Sequence, residues 1–171
     1  IRNFTYNDRS PWPEAADGQG HSMVLIAPES GPDHGLTVSW RSSALPGGSP
    51  GESDALAFEG EAEADNDGDG MSAFLEYALG SSDLVAGGSR IAVSNEDSGQ
   101  LLIRYSRRLA ADDALVSIEV SEDLLTWVPA GEDWEVQSVV PAGDGTGLVT
   151  WRVSGDVPGA FFVRLTVAPR L

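Results

Sequence analysis

The chain has 171 residues with 27 acidic and 10 basic side chains, a formal charge of −17 and a pI near 4.1. That balance excludes nucleic acid and anionic membrane as partners, since both need a basic face. Cysteine is absent, which removes disulfide frameworks and thiolate chemistry, and the longest apolar runs, such as Ala160-Phe161-Phe162-Val163, are too short to span a bilayer.

The length allows one or two small domains with modest cores. All ten basic residues are arginine, a bias that reads as a GC-rich genome ahead of adaptation to salt. Ile1 stands where a starting methionine would, and no signal peptide is visible, so the sequence reads as a fragment of something longer. An extracellular or cell-surface location is expected, without membrane insertion.

Residues 1–51 are rich in Gly, Pro, Ser and Trp. Met23, Leu25 and Ala27 alternate with Val24 and Ile26, which predicts a strand covered on both faces. Leu36, Val38 and Trp40 sit two apart and predict a second strand. Two strands cannot close a core alone, so the segment reads as part of a larger β-domain. The order Tyr6, Ser10-Pro11-Trp12-Pro13, Ala16-Asp17-Gly18-Gln19-Gly20-His21-Ser22-Met23, Trp40-Arg41-Ser42-Ser43 and Gly47-Gly48-Ser49-Pro50-Gly51 resembles the closing half of a bacterial lamin-tail domain. The resemblance covers less than a third of the chain. It implies an immunoglobulin-like sandwich serving as an adhesion or assembly module, in a family whose members often lie beside spore-coat-kinase-like or nuclease domains.

Residues 52–64, Glu-Ser-Asp-Ala-Leu-Ala-Phe-Glu-Gly-Glu-Ala-Glu-Ala, carry five acids and no base, which predicts a solvated linker extended by self-repulsion. A supplementary cation-binding strip is the functional alternative.

Residues 65–80 carry the chemistry the sequence states most plainly. The twelve residues Asp65 to Glu76 place carboxylates at positions 1, 3, 5 and 12 and glycine at position 6. Ca²⁺ takes six to eight hard oxygens in a flexible shell, and this spacing supplies them. Asp65, Asp67 and Asp69 turn oxygens inward, Gly70 permits the bend, Met71 offers its backbone carbonyl, and Glu76 closes the shell. Ala73 at position 9 has no side-chain ligand, so a water is expected there. Mg²⁺ fits less well, because its small octahedral shell tolerates a long protein loop poorly. The bland reading is an acidic surface turn capping a helix; the agreement of three alternate aspartates, glycine at position 6 and glutamate at position 12 favours metal. A short helix from about Met71 to Leu79 follows, with Met71, Phe74, Leu75 and Ala78 on one stripe and Gly80 as a left-handed stop. No helix enters the loop, so it is half of an EF-hand, similar to dockerin and thrombospondin-type calcium repeats. Asp65 to Gly80 also resembles a segment near the C-termini of verrucomicrobial surface proteins.

Residues 88–171 alternate as a sheet does, and seven strands are predicted: Arg90–Val93, Gln100–Arg107, Leu115–Ser121, Thr126–Pro129, Trp134–Val140, Gly147–Ser154 and Ala160–Val167. Val116, Ile118 and Val120 share one face, as do Phe161, Val163, Leu165 and Val167. The spacing indicates an antiparallel β-sandwich. The Ser121 to Trp127 turn resembles an element of the same bacterial C-terminal modules and reads as a strand connection with a core tryptophan. The fold class expected overall is mainly β: a partial lamin-tail segment, one short helix after a calcium loop, and a C-terminal sandwich.

Other residues invite sharper readings. His21 beside Ser22 and Asp17 could be drawn as a hydrolase triad, but sequence neighbours rarely form one, and a turn histidine is the better reading; His34 has no metal-ligand spacing. Among Trp12, Trp40, Trp127, Trp134 and Trp151, Trp151 reads as core and Trp134 as the best candidate for an exposed, sugar-stacking ring. Arg107-Arg108 reads as a solvated strand end ahead of an anion site. No catalytic residue is indicated. The expected protein is a non-catalytic exported module with structural Ca²⁺ and a protein or cell-surface polysaccharide as partner. The alternative is a carbohydrate- or protein-binding accessory module of a larger enzyme, such as a spore-coat-kinase-like protein.

Overall fold

Side-chain alternation puts apolar rows on one face of each C-terminal strand, and two such faces closed on each other make the core. The computed structural model describes residues 3–88, 90–96, 100–154 and 161–170. Among the described residues the strands are β1 (Met23–Leu25), β2 (Trp40–Ser42), β3 (Ile91–Asn95), β4 (Leu101–Arg108), β5 (Ala114–Ser121), β6 (Val128–Pro129), β7 (Trp134–Pro141), β8 (Thr146–Val153) and β9 (Phe162–Pro169), with one α-helix, α1 (Ala73–Leu79). The fold is mainly β with antiparallel sheets. β3-β4-β8-β7 form a four-stranded sheet and β6-β5-β9 a three-stranded one.

The core between them takes Ile103 and Tyr105 from β4, Val149 and Val153 from β8, and Ile118 from β5, with Val116, Val120, Val163 and Leu165 packed around. Each large apolar side chain buried contributes roughly 1.5–3 kcal/mol. The expected faces of β5 and β9 are therefore the ones the sandwich uses. All seven expected strands form, with ends displaced by one or two residues; Ala160, at the start of the last, lies outside the described residues, as do positions 97–99 of the preceding turn. Thr126–Pro129 shrinks to β6, because Asp123 Oδ1 accepts from Leu125 N (2.8 Å) and Thr126 N (2.7 Å) and so holds those amides in a turn.

The first fifty residues differ more. β1 pairs with β2 in the register Met23↔Ser42 to Leu25↔Trp40, and the expected strand Leu36–Trp40 is a 3₁₀ turn at Thr37–Ser39 that leads into β2. Two hydrogen bonds curl it: Trp40 Nε1 donates to His34 O at 2.9 Å, and Ser39 Oγ donates to Asp33 O at 2.7 Å. Without a neighbouring strand to cover them, Leu36 and Val38 stay exposed, Val38 at 75%.

This N-terminal part is fastened to the sandwich in two places. A register shift between Val136 and Ser138 leaves Gln137 outside the β7–β8 pairing, and its carbonyl accepts from Ser10 Oγ at 3.0 Å. Deeper in, Arg41 of β2 forks onto Asp112, with Nη2 2.9 Å from Oδ2, and also pairs with Asp54. All three side chains are buried.

Asp54 belongs to the acidic stretch 52–64, which is a packed strap and not the expected solvated linker. Leu56 N donates to Ala110 O (2.8 Å) and Phe58 N to Asp113 Oδ2 (2.7 Å). The Phe58 ring meets Phe74 and Tyr77 at centroid distances of 5.0 and 5.3 Å. The Tyr77 hydroxyl lies 2.9 Å from both Leu56 O and Asp113 Oδ1. Repulsion among the acids is overcome because Glu52, Glu59, Glu61 and Glu63 stay exposed, Asp54 is paired with Arg41, and Phe58 and Ala62 pack against the helix cluster. Tyr77→Phe is expected to cost about 1 kcal/mol, the usual worth of one such hydrogen bond, and to speed proteolytic nicking of residues 52–64 on gel electrophoresis.

Candidate metal centre

Helix α1 begins two residues later than its apolar stripe suggests. Ser72 takes the N-cap, its Oγ accepting from Leu75 N at 3.4 Å, and so leaves Met71 in the loop. The strap supplies the next caps: Ala64 O accepts from Ala73 N (2.7 Å) and Ala62 O from Phe74 N (3.1 Å). At the other end Ser81 N donates to Glu76 O (2.9 Å) and Gly80 N to Tyr77 O (3.1 Å), with Gly80 at φ +80°, the Schellman pattern. A Cβ on Gly80 would stand 2.8 Å from Thr146 Cγ2. Gly80→Ala is therefore expected to cost about 2 kcal/mol, read as a lower urea midpoint at unchanged slope.

The stripe docks as its spacing implies, on two neighbouring clusters. Phe74 and Ala78 pack with Ala111 and Ala114, while Met71, Leu75 and Leu79 lie against the sandwich core. The helix position fixes Glu76, which is 0% exposed.

The loop before it is wound by its own carboxylates. Asp65 accepts from Gly68 N (2.8 Å) and Gly70 N (3.1 Å), Asp67 Oδ1 from Asp69 N (3.1 Å), and Asp69 Oδ1 from Met71 N (3.0 Å). Gly70 takes φ +90°, the left-handed turn that position 6 needs. Asp65, Asp67 and Asp69 each offer an oxygen, and these lie within 4.8 Å of one another. Glu76 stands outside that group of three and approaches from the helix. Its Oε1 accepts from Ser81 Oγ at 2.8 Å and lies 3.6 Å from Arg90 Nη2, whereas its Oε2 has no hydrogen-bond partner. Asp67 Oδ2 is likewise buried and without a partner.

Electrostatics follow from this geometry. Burial raises the Glu76 pKa, the Ser81 hydroxyl opposes the rise, and Asp67, Asp69 and Asp83 add to it. The N–H groups of Gly87 and Met71 hold the Asp69 carboxyl below the usual aspartate range, with Arg90 helping. Asp69 therefore stays ionised while a second, buried carboxylate faces it. Two carboxylate oxygens without partners lie in this setting, and an all-oxygen donor set of this kind suits a hard cation.

Several residues around the loop escape a sequence reading. Asp83 returns to bond Asn66 through its backbone N (3.0 Å) and side-chain amide, and Gly87 N reaches Asp69 Oδ2 at 3.0 Å. The acid at Asp83, three residues past Gly80, is the one local signal that could have marked this return.

His21 Nδ1 lies 2.8 Å from Ser43 O, at the end of the β1–β2 pair away from its connecting turn, and no hydrogen bond among the described residues joins it to Ser22 or Asp17. His34 sits edge-on to Phe4 and Trp40, each at 5.7 Å. Trp134 is not an open platform: Phe161 packs edge-on against it at 5.9 Å, and both join the sandwich core. Trp127 is not core either; it lies half-buried under the Arg164 guanidinium, 4.3 Å from the ring centroid. Trp151 packs into the core opposite Ile103. Arg108 is no solvated strand end, since its Nε donates to Tyr77 O at 3.0 Å and its guanidinium lies over the Tyr77 ring.

No known family model matches the chain, and no curated protein matches it. No helix among the described residues is long and apolar enough to cross a membrane.

Proposed function

We propose that this chain is a non-catalytic module, exported or cell-surface, in which one Ca²⁺ stiffens the joint between the strap, the helix and the sandwich. Asp65, Asp67, Asp69, the Met71 carbonyl and Glu76 are its ligands. The observation that carries the reading is the pair of buried, unpartnered oxygens, Glu76 Oε2 and Asp67 Oδ2, beside three clustered aspartates. A buried carboxylate oxygen without a donor costs on the order of several kcal/mol. A divalent ion offsets that cost and the mutual repulsion of the four acids together.

The role is architectural because of what the loop joins. Its first residue follows the strap that caps α1, and its last is buried in α1 against β4 and β5. Calcium there locks three segments into one arrangement. An adhesion or assembly role at a cell surface fits the resemblance to lamin-tail and calcium-repeat modules. Isothermal titration of chelator-stripped protein tests the site: uptake of one Ca²⁺ per chain is expected, and no uptake at millimolar calcium would overturn it.

A further inference from the structure

Between the Ser10–Glu14 segment, the β1–β2 hairpin and the neighbouring end of the sandwich lies a cavity of about 530 Å³, within the size range of small-molecule sites. Its walls are mainly apolar, with Trp151, Tyr105, Ile118 and Val139 among them.

One charge points into it from an apolar row. Leu101, Ile103 and Tyr105 are the buried inward residues of β4, and alternation puts Arg107 next in that row. The residue opposite Arg107 on β8 is Gly147, so no side chain meets it across the ladder. Arg107 is half-buried and lines the cavity, the reverse of a solvated strand end. Every other described arginine reaches an acceptor. Arg9, Arg41, Arg90, Arg152 and Arg164 meet carboxylates. Arg104 meets the Ser94 hydroxyl, and Arg108 and Arg170 meet backbone carbonyls. The Arg107 side chain has no hydrogen bond or ion pair among the described residues, in a chain whose acids outnumber its bases 27 to 10.

The surroundings do not neutralise it. Burial pushes the Arg107 pKa down; Tyr105 and Asp112 oppose this, while Arg170 and Arg41 add to it. Arg41 is already matched by Asp112 and Asp54. Arg170 lines the same cavity, its Nε donating to Asp112 O at 2.9 Å. Glu14 also lines it, with Oε1 taken by Ser10 N at 2.7 Å.

We propose that this cavity binds a small organic carboxylate, its charge paired with Arg107 and its apolar body lying against Tyr105, Trp151, Ile118 and Val139. The planar guanidinium fork matches a carboxylate with two parallel hydrogen bonds. A monovalent head group fits one unpaired cation, whereas a phosphate ester would carry excess charge into a strongly acidic protein. The site makes the chain a binding module as well as a joint, and it does not depend on calcium.

The test uses the full chain, with calcium and with EDTA, and titrates 4-phenylbutyrate and octanoate against their primary amides. Tryptophan fluorescence reports binding, since Trp151, Trp12 and Trp40 all line the cavity. Saturable one-to-one binding of at least one acid by about 1 mM is expected, a standard free energy of roughly −4 kcal/mol. Its amide should bind at least about tenfold more weakly, and Arg107→Gln should remove the difference, with Arg107→Lys retaining part of it. Equal affinity for acid and amide, or no saturation by either acid, overturns the proposal, and this arm needs no variant to fold. An acid preference that persists unchanged in a folded Arg107→Gln protein also overturns it.

Discussion

Arg41→Met is expected to lower the unfolding free energy by about 3–5 kcal/mol, the usual cost of removing one partner from a buried ion pair. Arg41 and Asp112 are each 6% exposed, and Asp54 joins them from the strap. Burial works against the Arg41 charge, but the two carboxylates outweigh it and hold its pKa above the usual guanidinium value. Methionine would leave two carboxylates in the interior without their cation. Domains of this size are stable by only about 5–15 kcal/mol, so the loss should show as a large drop in urea midpoint. Asp112→Asn should cost less, because Arg41 keeps Asp54. Adding Asp112→Leu and Asp54→Asn to Arg41→Met should recover much of the loss, since an apolar replacement of a whole buried network is often neutral. A cost below about 1 kcal/mol for Arg41→Met would show the pair behaving as a surface one and sink the argument.

The same network sets an acid limit. Burial raises the Asp54 pKa, but hydrogen bonds from Arg41, Ser49 and the Ala44 backbone more than offset it and leave the carboxyl below the ordinary aspartate value. A group with a depressed folded pKa contributes stability above its unfolded value and loses it as pH falls through the folded one. The acid unfolding of wild type should therefore contain a component below the ordinary aspartate range that Arg41→Met lacks.

How far the sequence discloses this molecule depends on how local each feature is. The acidic loop is legible because its carboxylates fall within twelve consecutive residues, at the spacing the proposed calcium chemistry would fix. The sandwich is legible because rows such as Val116, Ile118 and Val120 repeat with period two. The Arg41–Asp112 pair spans 71 residues of sequence, and no local pattern couples its ends. The strap is concealed by its own charge: five acids suggest a solvated stretch, yet Phe58 and Ala62 pack, the Leu56 backbone bonds Ala110 and Asp54 pairs with the buried Arg41. Arg107 shares its parity with Leu101, Ile103 and Tyr105, which puts it on the inward face, whereas its charge alone suggests solvent. The same alternation that recovers the core thus locates the residue that departs from it.

Calcium is expected to stabilise the protein and Glu76→Gln to reverse the order of stabilities between metal-bound and metal-free conditions. At a free calcium concentration one hundred times the dissociation constant, linkage supplies about 2.7 kcal/mol, or a rise in Tm of about 5–10 °C for a chain of this length. In EDTA, Glu76→Gln keeps the size of the side chain and removes a buried charge facing Asp67 and Asp69, so it should melt above wild type. In calcium it loses a charged ligand and should melt below wild type. Asp65→Ala, at the exposed start of the loop, should abolish the calcium effect with a smaller change in EDTA. Differential scanning calorimetry under the two conditions reads all of this, and parallel curves for wild type and Glu76→Gln would end the case for a metal. Hydrogen exchange then separates a joint from a sensor. Metal removal should raise exchange in residues 52–64 and in α1, whose first amides are capped by Ala64 and Ala62, while β4, β5 and β8 stay protected. A sensor opens to expose an apolar groove; here Phe74, Ala78 and Leu79 are already buried against the sandwich, so a bound calcium would have a docked helix to hold and no groove to uncover.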